Sequence, residues 1–298
     1  MADFHFDYAN FSVNYCRSGA LEYGLFVTLV IATICFILTK LTHEYSWVDR
    51  MWSLLPGLYA LHFLYHQSQC RSVPVSDRQW IMLCIAWVWG LRLTYNFYRK
   101  GGYAKGGEDY RWAYLRERYH WILMELLNFF FTAYAQLVLI YLFSAPIYLA
   151  SAAKLTWIDF ALANLTMGFI TLESLTDNQQ WRFQQEKHRL LKEGKPLPFP
   201  FSVGFNTTGL FRFSRHPNFF AEMCIWWVYY FFTIQQHGWN WSFIGTLLLT
   251  FLFQGSTNLT EQISCEKYPQ YKEYQRTTSR LLPLPAGPPI SPTPKKST

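Results

Sequence analysis

Apolar residues fall in seven runs of membrane-crossing length, over 22–41, 47–65, 79–98, 121–143, 157–175, 218–234 and 239–257. About 20 residues of helix cross ~30 Å of hydrocarbon, and a segment in lipid must satisfy its backbone polar groups internally. The pattern therefore predicts an all-α, polytopic transmembrane bundle of about seven spans, with Asp49, Arg50 and Pro56 interrupting the second run. The polar residues between runs are unevenly charged. Residues 99–120 hold six Lys/Arg, 178–217 hold seven and 261–298 hold six, whereas the other connections hold few. Alternating spans put the three rich segments on one face, which the positive-inside rule assigns to the cytoplasm. The N-terminus is then lumenal and the C-terminus cytoplasmic. Three regions are expected: a lumenal segment 1–21, a transmembrane domain 22–282, and a proline-rich, disordered cytoplasmic tail 283–298.

Composition agrees with that picture. The 298-residue chain is 51% hydrophobic, 20% aromatic and only 15% charged, against about 25% charged in a soluble domain. Its net charge of +7 follows from topology, and no basic stripe on a soluble fold suggests a nucleic-acid partner. The first apolar run has no basic segment before it and is too long for a signal peptide. The six cysteines form no C-x-x-C pair, and Cys35, Cys84 and Cys224 fall inside apolar runs, so no zinc or other metal site is expected. Cys16 and Cys70 share the lumenal side, where they can pair in a disulfide or remain thiols. The terminal Lys295-Lys296-Ser297-Thr298 matches a cytoplasmic dilysine retrieval signal, pointing to the endoplasmic reticulum membrane.

Candidate chemistry concentrates where the sixth run begins. In Ser214-Arg215-His216-Pro217-Asn218-Phe219-Phe220-Ala221-Glu222, four hydrogen-bonding side chains (Arg215, His216, Asn218 and Glu222) lie within eight residues at the rim of a span. Charged groups near lipid are costly, so this cluster reads as a polar ligand site; a snorkelling arginine within an aromatic belt is the alternative. Glu173, Asp177 and Trp181 recur every fourth residue and share a helical face. That helix continues through Arg182 and should stop at Gly194, with Pro196 just beyond. The glycines of 101–107 suit a tight turn or an anion nest. Tyr268, Tyr271 and Tyr274 recur every third residue after the last run.

Several motifs together resemble the superfamily of membrane steroid and sterol reductases and isoprenylcysteine carboxyl methyltransferases. They are Ser46-Trp47-Val48-Asp49 with Trp52, Trp89-Gly90-Leu91-Arg92, Glu108-Asp109-Tyr110-Arg111-Trp112, Asp177 with Trp181-Arg182, the stretch from Gly209 to Glu222, and Lys267-Tyr268-Pro269. Within that superfamily the chain is most similar to the DUF1295 group, related to the steroid 5α-reductase C-terminal domain. The resemblance implies a helical bundle that binds NADPH from the cytoplasmic side and takes a lipid substrate from the bilayer, reducing a C=C bond. It implies that Asp177, Asn218 and Glu222 contact the cofactor, that Arg215 with Arg182 or Arg99 meets phosphates, and that Gly209 and Tyr268 complete the cofactor site. It casts Tyr95, His216 and Glu222 as the catalytic set. The chain departs from steroid reductases at Trp89, where a tyrosine is expected, and in the last span, where Thr257 and Glu261 stand. Two alternatives remain open: a methyltransferase using S-adenosylmethionine, suggested by Glu261-Gln262, and a non-catalytic subunit of a membrane complex.

Overall fold

A computed structural model describes residues 8–150, 154–288 and 290, and the regular elements among them are all helical. The chain begins with α1 (Tyr8–Arg17) and α2 (Ala20–Thr42). Helix α2 is apolar on every side, but its residues are sorted by size. Ala20, Gly24, Thr28, Ala32, Cys35 and Thr39 are buried, while Phe26, Leu29, Val30, Ile34 and Ile37 face outward. Small residues inside and large apolar ones outside is the pattern of a helix packed in lipid.

The second apolar run forms two helices, α3 (Trp47–Trp52) and α4 (Leu55–Arg71). Pro56 cannot sit inside a continuous helix, lacking an N–H and clashing with the preceding turn, but it fits the first turn of a new one. Next is α5 (Asp77–Arg99), whose start is fixed by a Ser76–Gln79 capping box, and then α6 (Tyr110–Arg118), capped by Asp109. The stretch Trp121–Leu149 comprises α7 (Trp121–Leu126), a π-helical segment (Leu127–Ala135), α8 (Gln136–Ser144) and α9 (Pro146–Leu149). The remaining helices are α10 (Trp157–Lys192), α11 (Pro217–Phe231), α12 (Ile234–His237), α13 (Phe243–Lys267) and α14 (Tyr271–Thr277).

Three segments are long and apolar enough to cross a membrane: Ala20–Thr42, Trp121–Leu149 and Trp157–Lys192. Helices α4 and α11, with 17 and 15 residues, reach only about 25 and 22 Å at 1.5 Å per residue. Helices α5 and α13 are longer but carry charged residues within or at the ends of their apolar runs.

The chain divides into two units, Met1–Ala163 with Tyr229–Leu248, and Asn164–Val228 with Leu249–Thr298. In the first, α4 packs on α5 and α8, and α2 packs on α8 and the π-helical segment. Tyr59, Phe63, Trp89, Ile140 and Phe143 fill the interior. Arg78 makes a fully buried two-pronged contact with Asp159, at 2.7 and 3.0 Å, and Gln235 adds a bond to the same carboxylate at 3.0 Å. Cys16 and Cys70 form a disulfide that ties α1 to the end of α4. In the glycine-rich turn, the Gly106 N–H donates to Glu44 Oε1 at 2.9 Å, and Arg50 holds the other carboxylate oxygen at 2.6 Å. Those donors keep the Glu44 carboxyl below its ordinary pKa. The turn is thus occupied by an anion of the chain's own.

Candidate functional site

The Arg-His-Pro-Asn motif lies in the second unit, where Pro217 opens α11 and can do so because the first helical N–H needs no partner. The residues just before it are held by the chain beyond α14. Arg215 N–H donates to Ser279 O at 2.8 Å, His216 N–H to Arg280 O at 3.1 Å, and Leu284 N–H to Phe213 O at 3.0 Å. The Ser214 hydroxyl donates to Leu281 O at 2.7 Å.

This backbone pairing aims Arg215 and His216 at Glu261 on α13. The guanidinium grips the carboxylate with both prongs, Nε to Oε1 at 2.6 Å and Nη2 to Oε2 at 3.1 Å. Its Nη1 donates to Gln275 O at 3.1 Å and also to Thr278 O. His216 Nε2 reaches Glu261 Oε1 at 3.0 Å, and Gln275 Nε2 reaches Oε2 at 2.8 Å. Burial acts to raise the Glu261 pKa, but the hydrogen bonds from His216, Arg215 and Gln275 prevail and bring it down to about 2. Burial also dominates at His216, lowering its pKa despite the neighbouring carboxylate. The ring is therefore neutral. A carboxylate oxygen can only accept, so Nε2 carries the proton and Nδ1 is a bare acceptor.

A second tier supports this hub. Arg280 donates through Nε to the Thr257 hydroxyl at 2.9 Å and through Nη2 to Gln254 O at 2.6 Å. Tyr274 donates to Phe211 O and packs with Val203, Phe205, Tyr271 and Ile290. Ile290 and Leu284 thus anchor the start of the proline-rich tail, while Lys295 and Lys296 lie outside the described residues. Tyr268 lies against Gly204, where its ring would stand 2.2 Å from an added Cβ at a φ of +89° that already favours glycine, and its hydroxyl accepts from Lys187 at 3.2 Å. Gly209 also has positive φ, +59°. Gln179 Oε1 stands 2.5 Å from where its Cβ would be and accepts from Leu210 N–H at 2.9 Å.

The other acidic candidates sit on α10 and α11. Asp177 and Glu222 are each 5% exposed, and Glu173 is also buried. Phe169 of α10 and Phe220 of α11 meet edge to face with centroids 6.1 Å apart, which brings these two helices together. Asn218, half-buried, lies one turn before Glu222, whose Oε1 accepts from Trp226 Nε1 at 3.0 Å. Arg182 is exposed on α10. Tyr95 and Arg99 belong to the first unit; Tyr95 is 63% exposed, and Arg99 binds Asn96 and lies over the Tyr95 ring. Of the residues singled out from sequence, Arg215 and His216 are joined directly, through Glu261. The central place of Glu261 and the bonds from Gln275 and Arg280 carry no local sequence signature. The nearest signal is the spacing of Thr257 and Glu261, one turn apart where α13 leaves its apolar stretch. Among the described residues no cluster of three His, Cys, Asp or Glu suits a metal ion.

The family described as "Protein of unknown function (DUF1295)" matches residues 35–278. An uncharacterised protein of Schizosaccharomyces pombe, C594.04c, is 37% identical over 287 residues, covering 92% of this chain and 83% of its own length. No solved structure matches the chain.

Proposed function

The chain belongs to the DUF1295 family, and from that footing we propose that it is an integral-membrane oxidoreductase that uses NADPH to reduce a C=C bond in a lipid or steroid-like substrate. The observation that carries the reading is the burial of Asp177 and Glu222 on two adjoining helices of the second unit. Buried carboxylates in helices facing lipid are costly and mark functional positions by default.

The side chains of this unit suit the polar half of a dinucleotide. Asp177 and Glu222 can accept from ribose hydroxyls. Asn218, on the same α11 face as Glu222, can both donate to and accept from a carboxamide. The buried Thr207 hydroxyl, with no partner among the described residues, leaves another donor in the loop before Gly209. NADPH when bound would supply the hydride. Arg182, exposed on α10, supplies the cation for phosphate. Arg215 has another task, since Glu261 and two carbonyls already take its donors, so it positions the loop from behind. His216, neutral with its Nε2 proton on Glu261, can accept at Nδ1 but cannot act as an acid. Tyr95, the tyrosine that the resemblance casts as catalytic, belongs to the first unit. The methyltransferase alternative is weakened because Glu261, the acid that suggested it, is engaged inside the protein.

The same reading includes seven spans, a lumenal N-terminus, a cytoplasmic C-terminus and residence in the endoplasmic reticulum. These rest on the Lys/Arg asymmetry of the loops and on the dilysine tail. The activity is tested with purified protein in nanodiscs, following NADPH oxidation against a panel of lipid enones. Enone-dependent oxidation in the wild type, absent in a folded Glu222→Gln variant, is expected. Methyl transfer from S-adenosylmethionine, with no NADPH oxidation, would replace the reading.

A further inference from the structure

At the disulfide end of α4, within the first unit, Phe63, His66, Gln67, Arg71 and Tyr148 line a cavity of about 90 Å³. None of the described residues lining it is a carboxylate. His66 is 3% exposed, and its Nε2 lies 2.9 Å from Ser18 O. A carbonyl only accepts, so Nε2 carries the proton and, in the neutral ring, Nδ1 is a lone-pair acceptor. That Nδ1 is buried and has no partner among the described residues. A buried acceptor without a donor is a feature that calls for an occupant.

Arg71 forms the mouth. Its Nη2 donates to the Tyr148 hydroxyl at 3.1 Å, and the guanidinium lies 5.4 Å from the Tyr148 ring centroid. Its other N–H groups meet no acceptor among the described residues. Gln67 brings nothing further, because its amide is already bonded to Gln79 and to Pro74 O. The cavity is therefore lined by one residue with a buried, unpartnered acceptor, His66, and by one cationic fork, Arg71.

Water would satisfy Nδ1 but leave the fork unused. A carboxylate or sulfate would satisfy the fork but has no proton for Nδ1. A phosphate monoester in its monoanionic form, or hydrogen phosphate, does both: its P–OH donates to His66 Nδ1, and its anionic oxygens accept from Arg71 in charge-assisted bonds. The volume corresponds to roughly three waters at ~30 Å³ each, enough for a phosphate head with any attached chain outside. We propose that this cavity binds a phosphate monoester head or hydrogen phosphate, read by His66 Nδ1 and Arg71. This site stands apart from the residues assigned to NADPH and does not depend on that reading.

The test uses the full-length protein in phosphatidylcholine nanodiscs, titrated calorimetrically with sodium phosphate and with sodium sulfate at neutral pH and fixed ionic strength. A parallel set of discs contains phosphatidic acid. The wild type should bind phosphate, with sulfate weaker by at least about tenfold, and Arg71→Gln should weaken phosphate by a similar factor. His66→Phe should abolish the preference for phosphate over sulfate; formation of the Cys16–Cys70 disulfide serves as its folding check. If phosphatidic acid in the disc blocks the phosphate titration, or stabilises the wild type but not Arg71→Gln, the ligand is a lipid head. If phosphate binds equally in both discs, it is a free oxyanion. No response to phosphate or phosphatidic acid would overturn the proposal. So would sulfate binding as tightly as phosphate, or phosphate binding that Arg71→Gln leaves unchanged.

Discussion

Glu261 takes hydrogen bonds from three side chains, Arg215, His216 and Gln275, drawn from parts of the chain on either side of it. Its carboxyl titrates at about 2 in the fold, against an ordinary 4.5. A depressed folded pKa contributes stability that is complete above about 4.5 and is lost as pH falls toward 2. The thermal midpoint of the wild type should therefore drop on acidification through that window, and Glu261→Gln should show a shallower acid limb from a lower starting midpoint. Parallel acid limbs in the two proteins would contradict this role for Glu261. The Arg-His pair itself was visible in the sequence as an unusual polar spot at the rim of an apolar run. Its direction was not: the partner carboxylate is 46 residues away from Arg215, and nothing local distinguishes an arginine reaching for phosphate from one gripping another helix.

Among the elements, glycine spacing controls how closely helices approach. A Cβ on Gly245, in the first turn of α13, would fall on the backbone of Leu142 and Phe143 in α8, which cannot move aside as a side chain can. Gly168 in α10 has nothing within 4 Å. Gly245→Val should destabilise by about 1–3 kcal/mol through overpacking, whereas Gly168→Ala should be neutral or raise stability by up to about 1 kcal/mol through helix propensity. Thermal midpoints of the two variants decide, and an equal response at both positions would refute the packing account. Helix content was well marked by the apolar runs. The break at Ser53–Leu54 was signalled by Pro56, yet the run still read as one span because the residues on both sides are apolar. The π-helical stretch Leu127–Ala135 could not be read from sequence, since a hydrophobic run looks the same at 3.6 or more residues per turn.

For the molecule as a whole, the sequence correctly marked an all-helical chain with membrane-crossing segments, and the structure identifies three of them by length and composition. The other runs form helices that are short, broken or charged near their ends, so their crossing rests on the loop charges rather than on helix length and composition. The Cys16–Cys70 bridge closes a loop across a sequence separation of 54. Replacing either cysteine with serine should lower stability by about 2–4 kcal/mol on the chain-entropy view, and a thermal midpoint insensitive to both reductant and substitution would contradict that. The central claim, a dinucleotide site built on Asp177, Asn218 and Glu222, is tested most directly by mass spectrometry of small molecules released from the purified protein, wild type beside an Asn218→Ala, Glu222→Ala variant of intact fold. NADP(H) released from the wild type and missing from the variant is the predicted result. Absence of NADP(H) from the wild type, together with no binding when NADPH is added, would contradict the account.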